Sequence, residues 1–289
     1  MQMNDLWGFL DQQPNLRKTI YEKAQQGYTV DGFIDDDLHF VKVNDLNLNL
    51  KRYKNLHYSI ELPEFNGFLC KKLIVLFTPA TAPGSSSAKD RYFGTQQWNS
   101  LNAKVGKNVI ILRIADVAFV SGSYYTLYEQ EIFELIADTC AQFGLRHNDV
   151  VLYGNSRGGT GALFIGIAGN YKTVSADPVI DRTPWIHGHD GRYDRQLMYD
   201  FIEENFSDRL RNIMRNNVYD SRNIYVIASE QNKVMFDSVA PLSYGLTLKN
   251  INLQNISTDM LKNPLWLHGI TINESVQLQL AMINYYLFN

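Results

Sequence analysis

The chain has 289 residues, 45% of them hydrophobic, and a formal net charge of -3 at pH 7. This length suits one large domain with a buried core, and the charge balance excludes a strongly basic surface for nucleic acid. No segment approaches the roughly 18 uninterrupted apolar residues of a membrane-spanning helix. Residues 1–14 lack the basic and then apolar pattern of a signal peptide, and two cysteines are too few for a disulfide framework. We therefore expect a cytoplasmic protein.

The first third of the chain predicts a helix followed by strands. Residues 14–27 have the pattern of a short surface helix, and alternating apolar and polar residues over 29–62 predict antiparallel strands. We therefore expect residues 1–62 to form an N-terminal helix with antiparallel strands. Continuous apolar runs at 73–77 and 109–114 predict strands buried on both faces.

The rest of the chain predicts strands that alternate with helices. Helices are expected at 124–143, 160–168 and 275–287, and strands at 150–153, 173–176, 223–228 and 250–258. This alternation predicts an α/β fold with a mostly parallel central sheet flanked by helices. We expect one domain over 1–289, with a lid-like insertion at 178–222.

A glycine-rich turn follows the strand at 150–153. Residues 154–158 have the sequence Gly-Asn-Ser-Arg-Gly between a strand and a helical segment, which is the G-x-S-x-G pattern of a nucleophile elbow. The chain must turn sharply there, and side chains at Gly154 and Gly158 would collide with the opposite arm of the turn. The pattern predicts Ser156 as a nucleophile. The alternative is a serine that only caps the helix.

The chain order of α/β-hydrolases, which is serine, then acid, then histidine, limits the catalytic base to the histidines after Ser156. His268 falls before the predicted C-terminal helix, in what we expect to be a loop, and is the predicted base. His187 and His189 stand beside Asp190, which suggests a metal site. No further ligand clusters with them, so we expect a lid loop there and predict no metal.

Three carboxylates are candidates for the acid that orients His268. Glu230 follows the last strongly buried strand and is the first choice, while Asp177 at the end of the preceding strand is second and Asp237 third. Asn232 stands where aspartate is commoner in such enzymes, and an asparagine would orient the ring without stabilising its charge. Asp177 precedes Pro178, and such a pair also simply terminates strands.

Two backbone N–H groups are expected to form an oxyanion hole. One belongs to Arg157, directly after the nucleophile, and the other to the loop after the strand at 73–77. Because Pro79 has no N–H, Thr78 or Ala80 must supply the second donor. The Arg157 side chain has two open interpretations: it holds a phosphate or carboxylate, or it forms a salt bridge on the elbow helix.

Several segments together resemble a known family. They are Arg91 to Gly94, Asn108 to Asp116, Gly122 to Tyr125, the elbow, and Ala176 to Pro178. The series resembles the α/β-hydrolase-type sugar O-acetyltransferases of bacterial surface polysaccharides, such as the accessory Sec glycan acetylase and the meningococcal serogroup A capsule O-acetyltransferase. The resemblance covers roughly residues 70–270 of this sequence.

That resemblance implies a cytoplasmic enzyme, soluble or peripheral at the inner membrane face, with acetyl-CoA as donor. The acceptor would be a hydroxyl of a poly- or oligosaccharide, with other glycan-assembly proteins as partners. Ser156, His268 and Glu230 would be its triad. Aromatic residues at 92, 98, 124, 125, 185 and 193 could stack on sugars or simply pack, and Arg182, Arg192 and Arg195 could attract an anionic polymer or only be solvated.

Two alternatives stay open at this point. An esterase or deacetylase would use the same triad and differ only in whether water replaces the sugar hydroxyl. A catalytically silent partner in glycan assembly or secretion would share the fold but would not need Ser156 and His268.

Overall fold

The computed structural model describes residues 14–34, 37–63, 71–79, 88, 98, 100–115, 125, 128–180, 206–254 and 256–289. The strands are β1 Tyr28–Ile34, β2 Asp37–Lys42, β3 Lys51–Tyr53, β4 Leu56–Glu61, β5 Lys72–Phe77, β6 Val109–Ala115, β7 Val150–Asn155, β8 Lys172–Ala176, β9 Ile224–Ala228 and β10 Thr247–Asn250. The α-helices are α1 Pro14–Gln25, α2 Leu101–Lys104, α3 Glu129–Phe143, α4 Ser156–Gly169, α5 Phe206–Asn216, α6 Lys233–Val239, α7 Pro264–Glu274 and α8 Val276–Phe288.

The central sheet of the described residues has eight strands in the order β10-β9-β8-β7-β5-β6-β4-β3. The six strands from β10 to β6 are parallel, while β4 pairs antiparallel with β6 and β3 antiparallel with β4. The predicted mostly parallel sheet is therefore confirmed. β1 and β2 form a separate antiparallel pair, which agrees with the expected N-terminal strands.

Helices cover both faces of the sheet. Along β5, Leu73, Val75 and Phe77 pack into one core cluster together with residues of α3, α4 and α5. The intervening Ile74 and Leu76 pack into a second cluster together with residues of α2 and α8. This two-residue alternation is the period of a strand buried on both sides, which explains the continuous apolar runs in the sequence.

Several expected elements differ from those observed, among them the helix behind the elbow, which begins at Ser156 and not at residue 160. The helix expected over 124–143 begins at Glu129, with Tyr128 at its N-cap, and residues 124, 126 and 127 lie outside the described residues. The strand expected over 250–258 is wrong, since β10 ends at Asn250. Of the lid expected at 178–222, residues 181–205 lie outside the described residues, and α5 packs against α4 in the main core.

Parallel strands end at one edge of a sheet, and that edge carries the residues of chemical interest. Ser156 follows β7, Asp177 follows the neighbouring β8, and Asn232 lies in the loop after β9. Loops at this edge are where α/β sheets place their ligand sites.

Candidate active site

The turn between β7 and α4 is a nucleophile elbow in its geometry as well as its sequence. Ser156 has a φ of 53°, a left-handed conformation that side-chain-bearing residues rarely adopt. A Cβ at Gly154 would overlap the Gly158 carbonyl, and a Cβ at Gly158 would overlap the Phe77 carbonyl of β5. Glycine is required at both positions because the two arms of the turn and the adjacent strand approach that closely.

His268 lies directly against the serine. Its Nε2 is 2.9 Å from Ser156 Oγ, so the hydroxyl can donate a hydrogen bond to the ring. The residue sits inside α7, in that helix's second turn, and not in the expected loop. Asn263 begins the helix by accepting hydrogen bonds from the N–H groups of Leu265 and Trp266, and Pro264 occupies the first turn.

Asp177 is the carboxylate that contacts the histidine. Its Oδ2 lies 2.6 Å from His268 Nδ1, so the ring donates its Nδ1–H to the carboxylate and leaves Nε2 free to accept from the serine. Asp177 is completely buried and has a left-handed φ of 43°. Its N–H donates to Ile227 O of β9 at 2.7 Å, which holds the residue at the end of the sheet.

Burial disfavours the charged form of the Asp177 carboxyl. Complete removal from water raises the pKa of Asp177 above its ordinary value, while His268 and then Asn232 oppose the shift by stabilising the charged form.

Glu230, the acid that the sequence predicted, does not lie at this site, and Asp177 takes its place. The Glu230 side chain is exposed, and its N–H donates to Asn250 Oδ1 of β10 at 3.0 Å. Asp237 is also exposed and pairs with Lys233 at 2.7 Å. The reason is topological: β8 is the direct neighbour of the nucleophile strand β7, so Asp177 begins one strand closer to Ser156 than any residue after β9.

The fold has counterparts among solved structures. The capsule O-acetyltransferase of Neisseria meningitidis serogroup A matches with a TM-score of 0.52 at 15% identity, over 83% of this chain and 94% of that chain. A mutant of it in complex with CoA matches with a TM-score of 0.50 at 14% identity, over 77% and 93%. The chain has the α/β-hydrolase fold.

A fluorophosphonate-binding serine hydrolase of Staphylococcus aureus also matches, with a TM-score of 0.44 at 12% identity over 74% of this chain and 92% of that chain. No protein-family model and no curated protein sequence matches this chain. At such identities the likeness extends to the α/β-hydrolase fold and not to substrate.

Of the residues expected to donate to an oxyanion, Arg157 and Thr78 lie in the described part of the chain. Arg157 is the second residue of α4 and lies in the first turn of that helix, directly after Ser156. Thr78 does not fit the second donor, because its N–H donates to Ile114 O at 3.3 Å and extends the β5–β6 pairing. Ala80, the other expected donor, lies outside the described residues.

The Arg157 side chain is buried, with 1% of its surface exposed. A fully buried guanidinium must be paired, so its charge belongs to the interior of this α/β-hydrolase fold and not to its solvated surface. Burial fits both interpretations of this residue, a salt bridge on the elbow helix and a site for a phosphate or carboxylate, and both stay predictions.

A buried tyrosine braces the loop that Thr78 begins. Tyr125 O–H donates to Thr78 O at 2.6 Å, and its ring packs edge-on against Phe77 at 5.1 Å between centroids. Tyr125 is 1% exposed, so it packs and does not stack on a sugar, and Trp98 packs against Tyr153. The other aromatic candidates, the three arginines, His187 and His189 lie outside the described residues.

In the part of the chain that the structure describes, no three His, Cys, Asp or Glu residues cluster as a metal site would require. None of the helices described there is both long and apolar enough to cross a bilayer.

Proposed function

We propose that this chain catalyses acyl transfer through Ser156, and that its reaction is O-acetylation of a bacterial capsule or surface glycan with acetyl-CoA as donor. The observation that carries the proposal is the continuous chain of hydrogen bonds from Ser156 through His268 to Asp177. Such a chain activates a serine hydroxyl that is otherwise a weak nucleophile. The choice of donor and acceptor is supported by the sequence resemblance and by the fold shared with the capsule O-acetyltransferase.

In the first half-reaction, Ser156 Oγ attacks the thioester carbonyl while its proton moves to His268 Nε2. The tetrahedral oxyanion forms beside the Arg157 N–H, and its collapse breaks the C–S bond. His268 returns the proton to the departing CoA sulfur. The products of this step are acetyl-Ser156 and CoA.

In the second half-reaction, a sugar hydroxyl attacks the acetyl carbon and gives its proton to His268. Collapse breaks the bond to Ser156 Oγ, which takes the proton back and releases the acetylated sugar. Asp177 holds the ring with Nδ1–H directed at itself and stabilises the imidazolium in both half-reactions.

The test combines trapping with acceptor dependence. The purified chain is incubated with acetyl-CoA alone, and intact-mass spectrometry and peptide mapping locate any acetyl group. CoA release is then followed with and without candidate glycans. We expect acetylation at Ser156 and acceptor-dependent CoA release, and we expect Ser156→Ala to lose both. His268→Ala should lose both as well, and His147→Ala, which changes an exposed histidine, is its matched control.

Two outcomes would contradict the proposal. CoA release or p-nitrophenyl acetate cleavage that no glycan enhances would identify an esterase on the same triad. If the wild-type chain forms no acetyl-serine with any acyl donor, the remaining interpretation is a catalytically silent partner in glycan assembly or secretion.

A further inference from the structure

Two hydrogen bonds join the helix of the nucleophile to the chain on either side of the acid. Before Asp177, the hydroxyl of Ser175 in β8 donates to Gly159 O of α4 at 2.8 Å. After Asp177, the carbonyl of Val179 accepts from the hydroxyl of Thr160, also in α4, at 2.7 Å. Ser175, Thr160 and Val179 are completely buried. The elements that carry the nucleophile and the acid are therefore attached to each other inside the protein.

The hydrogen bond from Thr160 leaves its own helix. A buried helical threonine can donate to the carbonyl four residues earlier, as Thr139 does in α3, where its hydroxyl lies 2.7 Å from Leu135 O. For Thr160 the corresponding carbonyl, Ser156 O, lies at 3.2 Å, while Val179 O lies at 2.7 Å. Because a hydroxyl has one hydrogen, the closer acceptor receives the stronger bond.

This contact holds a segment at the point where it leaves the sheet. The N–H of Asp177 still donates to Ile227 O of β9 at 2.7 Å, whereas the N–H of Val179 donates to Ser156 O at 3.4 Å. A completely buried carbonyl needs a hydrogen-bond partner inside the protein, and Thr160 is that partner for Val179. The turn after the acid is thus bonded to the first turn of α4 through both backbone groups of Val179.

The geometry of proton transfer depends on this attachment. His268 lies 2.6 Å from Asp177 Oδ2 through Nδ1 and 2.9 Å from Ser156 Oγ through Nε2, so its ring spans the gap between acid and nucleophile. Asp177 and Ser156 have left-handed backbones, and such conformations persist only where the surroundings enforce them. A displacement of α4 relative to the turn after β8 would therefore change the distance from Oγ to the ring.

We propose that Thr160 is a positioning residue: its hydroxyl holds the first turn of α4 against the turn after Asp177, and so sets Ser156 Oγ at hydrogen-bonding distance from His268. Thr160 acts through backbone carbonyls and takes no part in the proton transfer itself. The proposal rests on the nucleophilic role of Ser156 proposed above, and not on the choice of acyl donor or acceptor.

The test variant is Thr160→Val, which keeps the shape of the side chain and removes the hydroxyl. Two reagents report the reactivity of Ser156 without acetyl-CoA or a glycan. p-Nitrophenyl acetate acetylates Oγ and releases p-nitrophenolate, and a fluorophosphonate forms a P–O bond to Oγ and releases fluoride, with the proton passing to His268 in both. Since a misplacement of about 1 Å can cost on the order of 100-fold in rate, we expect both rate constants to fall about 10-fold or more. Stopped-flow absorbance and intact-mass spectrometry measure them.

Two control variants separate positioning from a general loss of packing. Thr139→Val removes a buried hydroxyl that bonds only within its own helix, so both rate constants should stay within about twofold of the wild type. Thr160→Ser restores the hydroxyl and should recover most of the rate that Thr160→Val loses. Circular dichroism checks that each variant is folded, and Thr160→Ala with Thr139→Ala replaces the valine pair if Thr160→Val does not fold.

A double variant tests whether Thr160 acts through His268. In His268→Ala the fluorophosphonate should react slowly, because no ring takes the serine proton. Adding Thr160→Val should then change this residual rate by less than about twofold, since residues that act as a unit do not show additive losses.

The outcomes distinguish this proposal from the proposed function. A wild-type rate in Thr160→Val with both reagents would overturn the positioning role and leave acyl transfer intact. An equal loss in Thr139→Val, or the full loss repeated in the His268→Ala background, would also overturn it. If Ser156 reacts with both reagents but not with acetyl-CoA, acetyl transfer fails and the comparison of the Thr160 variants still decides the positioning role. If neither reagent modifies wild-type Ser156, both proposals are wrong.

Discussion

Two residues of the site hold their backbones in left-handed conformations, Ser156 at a φ of 53° and Asp177 at 43°. Each such residue costs on the order of 1–3 kcal/mol and persists only where the surroundings enforce it. At Asp177 the enforcing contact is its own N–H to Ile227 O, and Val179 N–H donates to Ser156 O at 3.4 Å. The strain lies at the two ends of the hydrogen-bonded chain through His268, and it directs both side chains towards that ring.

The first prediction concerns the acid. Asp177→Asn should reduce turnover on the order of 10⁴-fold, because the imidazolium loses its counter-charge and the ring loses its correct tautomer. Glu230→Gln and Asp237→Asn remove exposed carboxylates and are matched controls that should retain near wild-type turnover. Steady-state kinetics of all three variants measure the difference. A large loss in Glu230→Gln with Asp177→Asn near normal would refute the assignment.

At the scale of elements, a buried polar chain joins β7 to the junction of α7 and α8. Tyr153 O–H donates to Gln279 Oε1 at 2.7 Å, and Gln279 Nε2 donates to Ile272 O at 2.8 Å and Ser275 Oγ at 2.6 Å. Asn155, next to the nucleophile, donates to the Tyr153 hydroxyl at 3.2 Å. The nucleophile strand is therefore attached to the end of the helix that carries His268.

The second prediction tests this chain. Gln279→Leu keeps the volume but leaves the hydroxyl of Tyr153 and the backbone carbonyl of Ile272 short of partners. The free energy of unfolding should fall by about 1–3 kcal/mol, since an unsatisfied buried group loses its full solvation. Urea unfolding measures the loss. Gln130→Leu, which removes only an exposed hydrogen bond to Glu134, should change stability by less than about 0.5 kcal/mol.

At the scale of the whole molecule, His57 makes the sheet sensitive to acid. It lies in β4, 1% exposed, opposite Arg52 of β3, and neither ring nitrogen has a hydrogen-bond partner. Burial, and then the charge of Arg52, lower the pKa of His57 from 6.5 to about 4. The unfolded chain therefore binds a proton at His57 more readily than the folded chain between pH 6.5 and pH 4.

The third prediction follows from this sign. The contribution of neutral His57 to stability is fully present above pH 6.5 and is lost as pH falls towards 4, by roughly 3 kcal/mol in total. His57→Phe removes this component, so its stability should fall less steeply with acid than that of the wild type. Unfolding free energies of both proteins between pH 7 and pH 4 measure the difference. Parallel curves would show that His57 is not the responsible group, and His57→Leu provides a second check.

The sequence by itself determined the features that depend on neighbouring residues. The apolar runs of β5 and β6 and the strand–glycine–serine–glycine turn before α4 are local patterns, because sheet burial and a tight turn restrict residues next to each other. Chain order limited the base to three histidines. The expected contact of His268 with Ser156, 112 residues apart, is present in the structure.

Only the tertiary structure decided which carboxylate meets His268. Asp177, Glu230 and Asp237 all follow strands of the same sheet, and no local pattern distinguishes them. The choice depends on β8 lying beside β7 and on where α7 crosses the sheet edge, and both are set by packing between segments about 90 residues apart. Asn232 shows the same limit: in sequence it stands where aspartate is commoner, and in the fold its amide donates to Pro264 O of the helix that carries His268.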